Sequence, residues 1–222
     1  MPRYLDLDRW PRRAAFEFYR TFDKPYFNVC TRLDVARLKA ALGRSAAGGL
    51  SLACYHFTLL LANAIEPFRY RLDQGRVRVL DRVDGSTTVL REDESFGFAT
   101  LRHEPDFATF AAQAAAAVAA ARAPGAAFEP QPDEQALLHF TTLPWVHFTS
   151  FSHARNWGRE DAVPKFSFGR ADADGTRLWM PVSVEVHHAL MDGLHVGRLL
   201  ERFEAMLDDP EPWLAGPKGV AA

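Results

Sequence analysis

Apolar residues recur at two spacings along the chain, and these spacings predict which segments are helices and which are strands. Spacing typical of helices predicts one over residues 9–22, where Phe16, Tyr19 and Phe22 recur, and a final amphipathic one over about 195–207. Further helices are predicted over residues 35–42, 51–65 and 106–122. Alternation and apolar runs predict strands over residues 25–33, 70–79 (a hairpin), 87–90, 137–142, 145–151, 164–170 and 177–187.

This order of elements describes an α+β fold, a two-layer arrangement of helices packed on a mostly antiparallel, partly mixed sheet. The chain has 222 residues, of which 48% are hydrophobic, so it can bury a substantial core. No linker rich in Pro, Gly or Ser is long enough to separate two units. We therefore expect a single domain over residues 1–222.

Charge and cysteine content exclude several classes of protein. The 26 Lys and Arg residues nearly balance the 28 Asp and Glu residues, and no basic stripe is present, so nucleic acid is not an expected partner. No window has the roughly 18 apolar residues of a membrane span. The first six residues resemble no secretory signal, and Cys30 and Cys54 are too few for a disulfide framework. We expect a cytoplasmic protein.

Reactive side chains are densest over residues 186–195. One interpretation is a metal site of His187, His188, Asp192 and His195, but consecutive residues of a strand point to opposite faces, which disfavours it. A second makes Asp192 the N-cap of the last helix and the histidines core residues. A third places a histidine at the strand end facing a cleft, where an imidazole suits general-base chemistry.

Four segments together resemble the chloramphenicol acetyltransferase family. Residues 187–193, His-His-Ala-Leu-Met-Asp-Gly, are similar to its His-His-x-x-x-Asp-Gly signature, which condensation domains and 2-oxoacid dehydrogenase acyltransferases share. Residues 10–19 resemble its N-terminal Trp-x-Arg-(Arg/Lys)-x-x-Phe-Glu segment, and residues 143–151 resemble its Pro-Trp-x-x-Phe-x-Ser-Phe segment. The signature continues to residue 198 with the family's His-Val-(Gly/Ala)-Arg. The four segments occur in the family's order.

The resemblance implies direct acetyl transfer from acetyl-CoA to a hydroxyl group, with no acetyl-enzyme and no metal. His188 would be the general base. Ser150 would donate to the oxyanion, and Ser167, where the family has a threonine, would reach the intermediate through water. Asp192 would pair with Arg12 and fix the turn that orients the imidazole. For Ser150 alone, a plain strand serine is the alternative, and Asp192 can also cap a helix.

Binding roles also follow from the resemblance. Arg170 lies where the family has a basic residue near the coenzyme phosphates, although a surface charge at a strand end explains it equally well. The acceptor pocket would be lined by three aromatic residues for which core packing is the alternative: Tyr26, Phe27 and Phe96. Residues 152–156 and Ala171 depart from the family's pattern, which bears on the acceptor and on coenzyme affinity.

The length of the chain gives one last expectation. Condensation domains contain two acetyltransferase-like halves, and 222 residues supply only one. The resemblance therefore implies a homotrimer with each active site at a subunit interface. Chloramphenicol is the expected acceptor, with a role in antibiotic resistance. The alternatives are an acyltransferase for another small alcohol and a non-catalytic module with the same fold.

Overall fold

The structure is a computed structural model that describes residues 2–43, 49–126, 128, 134–155 and 161–215. Six α-helices and ten β-strands lie in those ranges. The helices are α1 (Arg13–Tyr19), α2 (Ala36–Gly43), α3 (Leu50–Ala64), α4 (Phe107–Arg122), α5 (Gly193–Asp208) and α6 (Glu211–Leu214). The strands are β1 (Arg3–Tyr4), β2 (Tyr26–Asp34), β3 (Tyr70–Asp73), β4 (Arg76–Val79), β5 (Asp84–Leu90), β6 (Phe96–Leu101), β7 (Leu137–Leu143), β8 (Lys165–Gly169), β9 (Asp172–Asp174) and β10 (Arg177–His187). Of these described helices, none is both long and apolar enough to cross a lipid bilayer.

A large mixed sheet organises the molecule. Its strand order is β2-β10-β8-β7-β5-β6, and the short strand β9 pairs with β10. Strand β7 runs parallel to both of its neighbours, whereas the other pairs are antiparallel. A second sheet, β1-β4-β3, is small and antiparallel. The predicted α+β fold with a mixed sheet is confirmed.

The two faces of β10 differ in chemistry. One face carries alternate valines that join the main core with residues of α2, α3 and α5: Val182, Val184 and Val186. The intervening residues are polar and point to the opposite face: Ser183, Glu185 and His187. A segment without regular secondary structure crosses this second face. Its Phe151 carbonyl and its His153 amide form hydrogen bonds with side chains on that face. We call the two faces the helix face and the coil face.

A glycine allows that irregular chain to approach the sheet closely. A Cβ atom at Gly169 would lie 2.7 Å from the Val146 carbonyl oxygen and 2.5 Å from Cγ of Pro181. The next residue, Arg170, donates its backbone N–H to the same carbonyl at 2.8 Å. A larger residue at position 169 would push the coil off the sheet.

Two predicted elements differ from the structure, and strands β1, β6 and β9 were not predicted. The strand predicted over residues 145–151 is wrong: Pro144 has no N–H to donate, and the Val146 N–H closes a turn onto the Leu143 carbonyl at 3.2 Å. The first helix is shorter than residues 9–22, because residues 6–12 form turns before it begins. Strand β6 was not predicted, since its glycine interrupts the apolar pattern.

Candidate active site

His188 lies directly after β10, where the chain turns toward α5. Its backbone N–H donates to the Pro25 carbonyl at 2.7 Å. Its ring stacks on Tyr19, with 3.8 Å between centroids and 10° between planes, and packs against Phe27 at 4.7 Å. The side chain nevertheless keeps 29% of its surface exposed. Aromatic rings therefore hold the imidazole while part of it remains open.

A carboxylate faces one nitrogen of this imidazole. The Nδ1 atom of His188 is buried, forms no hydrogen bond with the described residues, and lies 3.4 Å from Oδ1 of Asp192. A hydrogen bond from Arg12 keeps the pKa of Asp192 below its usual value, so this carboxyl is ionised at neutral pH. A negative charge here favours a proton on Nδ1. The lone pair is then on Nε2, as a general base requires.

The Arg12 guanidinium fixes this geometry. It donates from Nε to Oδ2 of Asp192 and from Nη2 to Oδ1, both at 2.6 Å. It also donates to the backbone carbonyls of His188 at 3.0 Å and Ala189 at 3.1 Å. The expected ion pair is present, and the same side chain binds the turn that carries the imidazole. We call Arg12, Tyr19, Phe27, His188 and Asp192 the histidine half.

The metal cluster considered from the sequence does not form. The His187 ring is buried edge-on to Tyr26, whereas the His188 ring contacts Phe27 on the other face. Nδ1 of His187 accepts the Ala189 N–H, and Nδ1 of His195 accepts the N–H of Asp192, the N-cap residue of α5. Burial lowers the pKa of His187 to about 4, so this ring is neutral. No metal-binding group of three His, Cys, Asp or Glu side chains occurs in the described part of the chain.

Ser150 and Ser167 lie on the coil face, away from His188. Ser167 is fully buried in β8, opposite Ser183 of β10. Ser150 is exposed in the coil, and the residue after it accepts a hydrogen bond from Asn28 at 2.8 Å. Among the described residues, no hydrogen bond joins either serine to His188. Ser167 thus lies opposite Ser183 on the coil face, whereas His188 contacts Phe27 on the helix face.

A buried cluster of four charges supports this second region, and the sequence analysis missed it. Arg155, with 2% of its side chain exposed, donates to Glu185 at 2.7 Å and to Asp161 at 3.1 Å. Lys165 lies 3.5 Å from Asp161. Burial alone would raise the pKa of Asp161, but Arg155 and Lys165 lower it. A glutamate between valines of a core strand is the signal that could have revealed the cluster.

We call the second region the serine half. Its members all lie on the coil face: Ser150, His153, Arg155, Asp161, Lys165, Ser167 and Glu185.

The three predicted pocket aromatics do not meet within one chain. Phe27 touches His188, but Tyr26 points to the coil face, where its hydroxyl donates to the Asp161 carbonyl at 2.7 Å. Phe96 is exposed on β6, next to Phe98 and an exposed Phe128. Strands β2 and β6 are the two edges of the sheet, about 24 Å apart at five strand spacings.

Comparison with known proteins identifies the family. A family model described as chloramphenicol acetyltransferase matches residues 3–204. The chain belongs to the chloramphenicol acetyltransferase family. A chloramphenicol acetyltransferase of Streptomyces acrimycini is 36% identical over 96% of this chain and 97% of its own length. Chloramphenicol acetyltransferase 2 of Escherichia coli is 30% identical, covering 92% of this chain and 96% of its own.

Solved structures agree with this assignment. A chloramphenicol acetyltransferase superposes with a TM-score of 0.78 at 25% identity, covering 93% of this chain and all of that one. The dihydrolipoamide acetyltransferase of Azotobacter vinelandii superposes with a TM-score of 0.65 at 16% identity, over 90% of this chain and 88% of its own, and so shares the fold.

The basic residue that the resemblance predicts near the coenzyme phosphates, Arg170, has a partner in this chain. Arg170 donates to both carboxylate oxygens of Asp172, at 2.8 and 3.1 Å, and to the Trp145 carbonyl at 3.1 Å. His147 lies 3.4 Å from the same carboxylate. The pKa of Asp172 is lowered by the hydrogen bond from Arg170. An anion that binds Arg170 must therefore compete with Asp172.

A cleft of about 450 Å³ opens between α3, α4 and β5. Its lining is mainly apolar, with Leu90 and Val118 on its walls, Tyr55 and Thr88 as hydroxyl groups, and Arg122 as a cation. Apolar walls with a few polar groups are typical of small-molecule sites. In this family member the cleft lies beside the β6 edge that carries Phe96, and its lining does not include His188.

Proposed function

We propose that this protein is an acetyl-CoA-dependent O-acetyltransferase that acetylates a hydroxyl group of chloramphenicol. The observation that carries the proposal is the environment of His188: a partly open imidazole with Nδ1 directed at an ionised Asp192. It supports general-base chemistry in a chain that belongs to the chloramphenicol acetyltransferase family. We infer one acetyltransferase domain over residues 1–222 in a cytoplasmic protein.

In the proposed reaction, Nε2 of His188 accepts the proton of the acceptor hydroxyl as its oxygen attacks the thioester carbon of acetyl-CoA. The carbonyl π electrons move to oxygen and give a tetrahedral oxyanion. When this collapses, the C–S bond breaks and the coenzyme thiolate takes the proton from the imidazolium. The products are the acetyl ester and free coenzyme A, and His188 returns to its starting form.

The oxyanion needs a hydrogen-bond donor in a site that excludes water. Ser150 is suited to this role because it is exposed when one chain is considered alone. Its hydroxyl forms no hydrogen bond with the described residues. Ser167 is fully buried, and the resemblance to the family gives it a role through a bridging water rather than by direct contact. Arg12 and Asp192 act by holding the turn that follows β10.

We further propose that each site forms between two chains of a homotrimer. Two observations support a shared site: His188 and the two serines lie on opposite faces of the sheet, and Phe27 and Phe96 lie at opposite edges. A closed ring of three identical chains can bring the histidine half of one to the serine half of the next. Exposed Phe18 and Phe22 beside Tyr19 supply apolar surface at this position.

A coupled assay tests the proposed function. Purified protein is mixed with acetyl-CoA, a thiol reagent and either chloramphenicol, another small alcohol or no acceptor. We expect coenzyme A release that requires chloramphenicol and is insensitive to chelator. Release only with other alcohols would assign a different acceptor, and no release with any acceptor would favour a non-catalytic module.

A further inference from the structure

The side-chain hydroxyl of Ser167 has one hydrogen-bond partner among the described residues, and that partner is a histidine. Its Oγ lies 3.2 Å from Nε2 of His153. Serine lacks the methyl group that restricts the side-chain rotamer of the family's threonine at this position. A serine hydroxyl is therefore oriented by what it contacts, and here His153 makes the contact.

The protonation of His153 determines the direction of this hydrogen bond. Burial lowers the pKa of His153 to about 4, so its ring is neutral near pH 7 and carries one N–H. Its Nδ1 is buried with no partner among the described residues. A proton on Nδ1 would be a buried unsatisfied donor, which is costly, whereas a proton on Nε2 is donated to Ser167. Ser167 then accepts from His153, and its own O–H can point elsewhere.

The charged cluster fixes the backbone on both sides of His153. The His153 amide N–H donates to Glu185 at 3.4 Å, and Lys165 donates to the Ala154 carbonyl at 2.8 Å. Arg155 donates to Glu185 at 2.7 Å. Three consecutive residues are therefore attached to the central strands.

The ring of His153 is also fixed from the side of Ser150. It packs at 83° against Phe151, with 4.8 Å between centroids, and Phe151 directly follows Ser150. His153 thus contacts both segments that carry a proposed catalytic hydroxyl.

We propose that His153 is a positioning residue: it occupies one lone pair of Ser167 and so directs the Ser167 hydroxyl proton toward the reacting centre. The inference rests on the proposed role of Ser167. His153 lies in residues 152–156, where this chain departs from the family's pattern, so the device belongs to this chain's own sequence.

Steady-state kinetics of single variants test the proposal first. We expect His153→Ala to lower kcat roughly 3- to 10-fold, the effect of one neutral hydrogen bond, with little change in either KM. His153→Gln keeps an N–H donor near the position of Nε2 and should retain most of kcat. His56→Ala is the matched control: His56 is also buried, with a pKa of about 4, but its Nε2 bonds to the Glu104 carbonyl. It should lower the unfolding temperature without lowering kcat.

A double-mutant cycle with Ser167→Ala separates the possible outcomes. If His153 acts through Ser167, His153→Ala should change kcat by less than about twofold in the Ser167→Ala background. An equal loss in both backgrounds would overturn the proposal, as would normal kcat in His153→Ala beside an impaired Ser167→Ala. Full activity of Ser167→Ala would instead refute the role of Ser167, and with it the proposal that His153 positions this residue. The acetyltransferase assay with chloramphenicol would still test the proposed function separately.

Discussion

The histidine half and the serine half are built in different ways. The histidine half depends on one guanidinium that binds one carboxylate and two carbonyls, and both Asp192 and His188 remain partly exposed. The serine half depends on two buried cations and two buried anions that attach a coil to the sheet. Its histidine is neutral because it is buried.

This difference matches the chemistry proposed for each half. A general base has to change its protonation state in every turnover. This requires an environment in which protonation of the ring costs little free energy. The buried Ser167 hydroxyl only has to stay in position, which the rigid network around His153 provides. Changes that break each half should therefore affect different measured quantities.

Replacing the proposed base should have the largest effect. We expect His188→Ala to lower kcat roughly 10²- to 10⁴-fold, the contribution of general-base catalysis. The unfolding temperature should fall only slightly, because the variant loses ring contacts with Tyr19 and Phe27 but no hydrogen bond from Nδ1 to the described residues. His56→Ala, which removes a buried histidine of α3 outside the site, is the control and should keep most of kcat. A fall of less than tenfold in His188→Ala would contradict the assignment.

Removing the guanidinium should affect stability and rate together. We expect Arg12→Ala to cost about 2 kcal/mol of unfolding free energy, less than a fully buried pair, because the Asp192 side chain is 39% exposed. Loss of the contacts to both carbonyls should also lower kcat. Arg12→Lys keeps the charge but cannot reach all four acceptors, so it should recover stability more than kcat. Equal recovery of both would show that the charge alone is sufficient.

Acid should destabilise the coil face of the sheet, where three buried histidines lie, before it breaks the Arg12–Asp192 ion pair. Burial lowers the pKa of His139, His153 and His187 to about 4 from an ordinary 6.5. The unfolded chain binds more protons between these values, so stability should fall as pH drops from about 6.5 to about 4. The lowered pKa of Asp192 affects stability only when the pH falls below about 3.8, the ordinary pKa of an aspartate. Unfolding temperatures measured against pH test this, and His153→Gln should flatten the curve; an unchanged slope would contradict it.

The smallest expected effect concerns the coenzyme. If Asp172 competes with coenzyme phosphate for Arg170, Asp172→Asn should lower KM for acetyl-CoA roughly two- to fivefold, the size expected for one exposed ion pair. KM for the acceptor should not change. Asp174→Asn removes the same charge two residues away and is the control. A raised KM for acetyl-CoA in Asp172→Asn would mean that Asp172 helps coenzyme binding instead.

Local patterns predicted the elements that carry the histidine half. The alternating valines of β10 and the helical spacing of Val196, Leu199 and Phe203 in α5 are properties of short segments, so sequence is sufficient for them. The serine half was predicted poorly. Its segment is irregular, and Arg155, Asp161, Lys165 and Glu185 become a cluster only when three separate segments pack together. Tertiary partners of this kind leave no periodic signal.

The most direct test of the central claim, that one site combines two chains, is complementation between inactive variants. His188→Ala and Ser150→Ala chains with different affinity tags are co-expressed, and trimers that carry both tags are purified. If the two kinds of chain are equally abundant and assemble at random, about one quarter of the sites in the unfractionated mixture should be active. Each active site takes His188 from one chain and Ser150 from its neighbour. Mixed trimers that exchange chains yet stay as inactive as either parent would contradict the account.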